Sequence, residues 1–350
     1  MTLSDLRDAP SVGTRLDAFD AVDRSLPYGV QLRQIPAAAA TFRTDLLGTG
    51  QPVSVATRDL VTLPYPTRFG LWRAALTPSP YLSITNRMLV IRWADNVLVF
   101  EPSDYERGEN TPYFARLNAQ TPRLVQDRIV TRHATVLENL AALGIAPEEV
   151  TYLAFDHLHT QDVRRWIGTS TEPAAFPNAK LVVQRDELDA LADLHPLQLP
   201  WYQPETYRDL RPDAIAAIDG DVLLGPGVAL IATPGHTFGN QSLVLSTSDG
   251  LWAVSETVIA VECLVPEHSK IPGVAKSART WQRDAILNTN TPEALADQYN
   301  SIAKERALVD RSQVDSRFPQ FLPSSELTAS PYFPGTKPTF THGSITHRST

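Results

Sequence analysis

The residues best suited to chemistry are three histidines carried by two short segments. Asp156-His157-Leu158-His159-Thr160-Gln161-Asp162 directly follows a predicted strand, EEVTYLAF. In extended or loop backbone, residues two apart point the same way, so His157 and His159 present two imidazoles to one cation. Thr233-Pro234-Gly235-His236-Thr237-Phe238-Gly239 sits between two further predicted strands, where Pro and Gly force a tight turn that projects His236. Neutral imidazole is a borderline-soft ligand suited to zinc, iron, manganese or nickel. By itself the His-x-His pair reads equally well as two polar loop residues. The second loop shifts that balance, because three of only eight histidines fall in these two strand-end segments. Glu256, in LWAVSET, follows another strand end, and three histidines with one carboxylate would complete a four-coordinate divalent metal site.

These loops need strands to carry them, and the chain supplies candidates. Met88–Phe100, MLVIRWADNVLVF, splits into two apolar runs around Asp95 and Asn96, a hairpin pattern. KLVVQ at 180–184, Val228–Ala232, Ser242–Leu245 and Leu251–Val254 read as strands, and FPQFL ends at Pro323. The segment 124–143 reads as one helix, with Val125, Ile129, Val136, Leu140 and Leu143 at helical steps and Gly144 as its stop. Thr291 as N-cap and Pro292 at the first turn start a helix through about Leu308. Residues 1–40 read as an irregular extension with one short helix, and 52–93 as short β-rich runs broken by proline. Strands first and then strands interleaved with helices predict sheets covered by helices.

Composition narrows the class. The chain has 350 residues, is 43% hydrophobic and 20% charged, and carries a net charge of -8. That is an ordinary globular composition and excludes wholesale disorder. The single cysteine, Cys263, excludes an internal disulfide and a Cys-rich zinc module. It has no motif around it and reads as a small buried residue. The acidic balance argues against nucleic acid or an anionic membrane as a partner. No run of 18 apolar residues is present, and MTLSDLRDAPSVGTRLDAFD lacks the apolar core of a secretory leader. A cytoplasmic protein acting on a small molecule is the expectation, with the oligomeric state unread. Phosphate-binding glycine loops and the Gly-x-Ser-x-Gly elbow are absent.

Over about residues 85 to 326, the two histidine loops, in this order and each after a strand, resemble the metallo-β-lactamase fold superfamily. The Thr233–Gly239 loop is most similar to its glyoxalase II, lactonase and persulfide dioxygenase branches. The resemblance implies an α+β fold, a four-layer αββα sandwich with a metal at one edge of the two sheets. The implied division is an N-terminal extension over 1–84 packed on the main domain, the domain itself over 85–330, and a C-terminal tail over 331–350. The resemblance also exposes departures. Where the family has Asp-His after the second histidine, this chain has Gln161-Asp162; its bridging aspartate is Glu256; and the place of its last histidine reads Pro323-Ser324-Ser325-Glu326. Three of the four usual second-metal ligands are therefore changed, while His157, His159 and His236 keep the first site. The inference is one divalent ion, Zn²⁺ first with Fe or Mn as alternatives, held by these three histidines with Glu256 as a possible fourth ligand.

Around that centre, Asp162 either accepts a proton from a metal-activated water, whose pKa can fall to about 7, or holds a ligand histidine by a hydrogen bond. Gln161 and Glu101, the latter in place of a family aspartate, read as hydrogen-bonding supports. Arg164 and Arg165, where the family has small residues, either favour a carboxylate- or phosphate-bearing substrate or form internal ion pairs. His268 is either a replacement contact at the site or a surface residue; His133, His195, His342 and His347 read as packing or surface. Trp166, Trp201, Tyr202, Trp252 and Trp281 serve as either pocket wall or core. The leading function is a metal-dependent hydrolase of an ester, lactone, thioester or amide. The alternatives are a mononuclear iron dioxygenase of the persulfide dioxygenase type and a family member without turnover, whose pocket would be blocked by Arg164, Arg165 or Trp166.

Overall fold

A computed structural model of the chain describes residues 9–204 and 206–349. Residues 1–8, which begin the segment read as lacking a leader, lie outside that set. The strands in chain order are β1 Thr14–Leu16, β2 Ser54–Pro66, β3 Tyr81–Trp93, β4 Asn96–Phe100, β5 Thr131–Arg132, β6 Tyr152–Ala154, β7 Lys180–Gln184 and β8 Ile215–Ile218. They continue with β9 Asp221–Gly225, β10 Val228–Ala232, β11 Gln241–Thr247, β12 Gly250–Ser255, β13 Phe321–Pro323, β14 Ser325–Thr328 and β15 Thr346–Arg348. One sheet runs β1-β9-β10-β11-β12-β13; the other runs β15-β2-β3-β4-β6-β7-β8, with β14 on β3 and β5 on β2.

Alternation along the strands builds the layers, because successive side chains point to opposite faces. In β3, Leu89 and Ile91 join Leu98, Ala154 and Val182 in the core between the sheets, where they meet Val228, Leu230, Leu243, Leu245 and Val254. Their neighbours Met88 and Val90 point outward, to a second core under the helix Val136–Ala142 and the helix Arg185–Ala192. On the opposite side, Ala229, Ile231, Val244 and Leu251 pack on Ala39, Phe42 and Leu46 of the helix Tyr28–Gly48 and on Leu308 of the helix Leu295–Leu308. The result is the expected αββα sandwich.

Several elements differ from the sequence reading. Residues 28–48 form one helix of 21 residues, not a short one. Its buried positions Ile35, Ala38, Ala39, Phe42 and Leu46 follow helical spacing, but the run is rich in alanine and contains Pro36, which costs a helix about 3 kcal/mol in isolation. Packing on the helix 295–308 holds it. The single helix expected over 124–143 is two, Arg123–Ile129 and Val136–Ala142, separated by β5. The Thr135–Glu138 capping box starts the second afresh, and Thr131 and Arg132 pair with β2. The last long helix begins at Leu295; the Thr291 hydroxyl is used elsewhere, donating to the His236 carbonyl at 3.0 Å.

The expected division at 84/85 does not follow a break in the sheet. β2 pairs with β3 from Ser54–Arg92 to Pro66–Tyr81, and β15, from the tail, pairs with β2. Both flanking segments thus contribute strands to the sheet that carries the His157–His159 loop. Among the described residues no helix is long and apolar enough to cross a membrane.

Candidate metal centre

His157 and His159 leave β6 at its C-terminal end, while His236 lies in the turn between β10 and β11, on the other sheet. Gln241 fastens these two edges together. Its backbone N–H donates to the Asp156 carbonyl at 2.7 Å and its side-chain amide donates to the Phe155 carbonyl at 2.8 Å. The turn is wedged between two helices: a Cβ on Gly235 would stand 2.1 Å from the Gln298 nitrogen, and one on Gly239 2.1 Å from the Glu187 nitrogen. Only glycine permits so close an approach at both positions.

The three imidazoles converge. Ring centroids lie 4.6 Å apart for His157–His159, 4.5 Å for His157–His236 and 5.2 Å for His159–His236. One ligand nitrogen from each lies within 4.8 Å of the others, and all three residues are buried. Each ring has one nitrogen committed to the protein. His157 Nδ1 meets Asp156 Oδ1 at 2.5 Å, His159 Nε2 meets Gln198 Oε1 at 2.5 Å, and His236 Nδ1 donates to the Asn288 carbonyl at 2.9 Å. The other nitrogens remain for a cation. His159 Nδ1 in particular is buried with no hydrogen-bond partner in the protein, an arrangement that is costly unless a ligand occupies it.

Electrostatics agrees with that geometry. Burial, then the charge of His157, holds His236 down at about 3; burial, then the charges of His157 and His236, holds His159 well below its ordinary range. Both therefore offer neutral lone pairs. Burial would also lower His157, but the Asp156 charge and hydrogen bond outweigh it and push the ring up to about 9. A histidine backed in this way by a carboxylate is a strongly basic ligand. The donor set fits a divalent, borderline-soft ion.

Glu256 enters differently from the four-ligand expectation. It clusters with Asp156 and His157 rather than in the three-histidine set. Its Oε2 accepts from Ser325 at 2.8 Å and its Oε1 from Asn288 at 3.3 Å. Ser324 donates to Asp156 Oδ2 at 2.7 Å. The positions that read Ser324-Ser325 thus support the carboxylates of the first site. Glu101, expected as a support, accepts the Asp156 backbone N–H, and Gln161 donates to Ser103 at 3.0 Å.

Asp162 is buried, but Arg164 holds it at 2.8 and 2.6 Å and Arg107 approaches at 3.5 Å. It does not line the cavity above the histidines. Arg165 pairs with Asp104 and Glu106, and Trp166 packs on Phe176 in the core. None of these three blocks the cavity, and the two arginines are engaged in ion pairs. Trp201 lines the cavity, whereas Tyr202 and Trp252 are core and Trp281 is exposed; His268 lies outside it.

Sequence reasoning gave no role to Asp156, Gln198, Asn288 or Glu187. Asp156 had a signal, an acid directly before the His-x-His pair. Gln198 and Asn288 come from distant segments with no motif. Glu187 is the most connected of them: Oε1 accepts from the Leu158 N–H at 2.9 Å and the Tyr202 hydroxyl at 2.7 Å, and Oε2 from the Thr237 hydroxyl at 2.7 Å and the Gly239 N–H at 3.2 Å.

The cavity over the histidines measures about 490 Å³. Val61, Leu63, Ile84, Phe114, Leu117 and Ile129 give it apolar walls, and Tyr332 and Phe333 of the tail close one side. Its charged lining comprises Glu101, Asp104, Glu109 and Glu256 against Arg132.

No protein-family model matches the chain. An N-acyl homoserine lactonase of Bacillus cereus is 32% identical over 124 residues, which cover 35% of this chain and 40% of that protein. One from a Bacillus species is 30% identical over 118 residues, 34% of this chain and 42% of that one. The matches span about two fifths of the length of these curated relatives. Among solved structures, AidC, a dizinc quorum-quenching lactonase, superimposes with a TM-score of 0.51 at 13% identity, covering 86% of this chain and 96% of that chain.

Proposed function

We propose, from the premise that the chain has the metallo-β-lactamase fold, that it is a hydrolase of lactones and related esters dependent on one divalent metal ion, with Zn²⁺ first. His157, His159 and His236 would hold the ion. The observation that carries this reading is the buried, partnerless Nδ1 of His159 facing two further imidazoles. Such an ion, when bound, polarises a carbonyl and acidifies water.

The protein's own groups have definite tasks. Asp156, Gln198 and the Asn288 carbonyl fix the orientation and tautomer of the three rings. Glu256, held by Ser325 and Asn288 beside His157, is placed to accept a proton from water. Asp162, engaged by two guanidiniums, anchors the histidine loop and leaves that task to Glu256. The hydrogen-bonded residues at Gln161, Ser324 and Ser325 offer no imidazole or carboxylate for a second ion, which favours a single one.

Apolar walls and a preponderance of carboxylates favour a substrate whose reacting end is uncharged and whose body is an apolar chain. The lactonase relatives support a lactone, and the open cavity supports turnover rather than a blocked pocket. The cytoplasm remains the proposed compartment. The test is hydrolysis of neutral acyl lactones and aryl esters by metal-loaded protein, with elemental analysis of the same sample. Activity lost on chelation, restored by about one equivalent of metal, and absent together with metal from a His157→Ala, His236→Ala double variant is expected. Full activity in metal-free protein would sink the reading.

A further inference from the structure

Beside the cavity over the histidines lies a second one of about 470 Å³, whose wall includes Arg68, Arg73, Tyr81 and Tyr113. Its electrostatic character is the reverse of its neighbour's. The formal charges on its wall are two guanidiniums, with no carboxylate among them. Arg68 lies over the Phe69 ring at 4.5 Å, and among the described residues neither Arg68 nor Arg73 has an acidic partner. The phenol groups of Tyr81 and Tyr113 have no described hydrogen-bond partner either. Arg68, Tyr81 and Tyr113 line the same cavity; burial, then Tyr81, pushes the Tyr113 phenol up while Arg68 opposes them. Guanidinium and phenol are both donors, and the wall hydroxyls of Thr67, Thr77 and Ser79 already donate to the backbone carbonyls of Ser79, Pro334 and Tyr81.

The backbone here is also unusual. Trp72 and Arg73 have φ of 36° and 58°, a left-handed pair without glycine. Such residues are strained and persist where the surroundings impose them. The Arg73 N–H closes onto the Arg68 carbonyl at 3.1 Å, which folds the two arginines into one turn.

The two cavities adjoin at Tyr81, which lines both. Tyr65 and Pro66 are neighbours on opposite sides, and Tyr113 stacks at 4.3 Å on Trp201, which lines the catalytic cavity. We propose that this second cavity is a subsite for an anionic group, a carboxylate or a phosphate monoester, at the end of a ligand whose apolar body lies in the catalytic cavity. Two guanidiniums and two phenols match the several acceptor oxygens of such a group. The reacting end of the ligand stays uncharged and the anion sits remote from the metal. The inference rests on the proposed hydrolase reading only for which end of the ligand reacts.

A binding measurement separates it from catalysis. Calorimetric titration of the purified, metal-loaded protein with octanoate and with 1-octanol compares one apolar chain with and without an anionic end. Octanoate is expected to bind about tenfold or more tightly. An Arg68→Gln, Arg73→Gln variant should lose that preference and keep its affinity for 1-octanol, whereas the His157→Ala, His236→Ala variant should keep the preference. No preference in the unaltered protein overturns the proposal. So does a preference that survives loss of both arginines, which would place the carboxylate on the metal. If the preference follows the arginines while no ester is hydrolysed, the hydrolase reading falls and the anion subsite stands.

Discussion

Gln198 Oε1 lies 2.5 Å from His159 Nε2, and that contact decides which nitrogen of His159 is left for a metal. The Gln198 amide nitrogen donates to Glu293 at 2.5 Å and to the His236 carbonyl at 3.4 Å, so the oxygen faces the ring and the proton resides on Nε2. Gln198→Leu keeps the bulk and removes the acceptor. Metal affinity should fall about 10–100-fold, read by competition with a chromophoric chelator. Unchanged affinity would show that the tautomer is set otherwise.

Glu187 joins the two histidine loops through one carboxylate. Replacing it with leucine strands four donors in a dry interior, at the Leu158 and Gly239 N–H groups and the Tyr202 and Thr237 hydroxyls. The expected loss is about 3–5 kcal/mol in urea unfolding of the metal-free protein. Metal affinity should weaken as well, because both loops lose a common anchor. A loss below about 1 kcal/mol would mean that water or side-chain movement satisfies those donors.

Asp162→Asn separates anchoring from proton transfer. It keeps the shape but removes the charge between Arg164 and Arg107. Stability should fall by about 1–2 kcal/mol, metal content should stay the same, and kcat should drop by less than tenfold. A general base costs roughly 10²–10⁴ in rate when removed, so a drop of that size would return the base role to Asp162.

Glu305 gives the fold a pH dependence of its own. Burial pushes its carboxyl from 4.5 up to about 7, even though the Ser242 and Thr257 hydroxyls donate to it at 2.6 Å each. The folded state therefore keeps a proton that the unfolded chain releases. Between pH 4.5 and 7 stability falls as pH rises, by about 3 kcal/mol in all. Glu305→Gln should flatten that slope, raising the melting temperature at pH 8 while leaving it nearly unchanged at pH 4. An unaltered slope in the variant would assign the pH dependence to other groups.

What the sequence by itself determined was the local chemistry and the alternation. His157, His159 and His236 stood out because each lies where an apolar run meets turn residues, and the β3–β4 hairpin, β7, β10, β11 and β12 were legible because strands buried on both faces read as near-continuous apolar runs. The helix 28–48 was not, because Ala-rich sequence with an internal proline leaves little periodic contrast, and what fixes it is packing on the sheet and on the helix 295–308. Nor was the break at 130–135 visible, because Thr131 and Arg132 are held by pairing with β2, from residues some seventy positions earlier. The tertiary structure alone decided that Gln198, Asn288 and Glu187 meet the histidine loops, that Asp162 turns to two arginines, and that Glu256 stands with Asp156 and His157. Apart from the Asp162–Arg164 pair, two residues apart, those contacts join segments tens to hundreds of residues apart, and no local pattern encodes a distance that only the packing of two sheets creates.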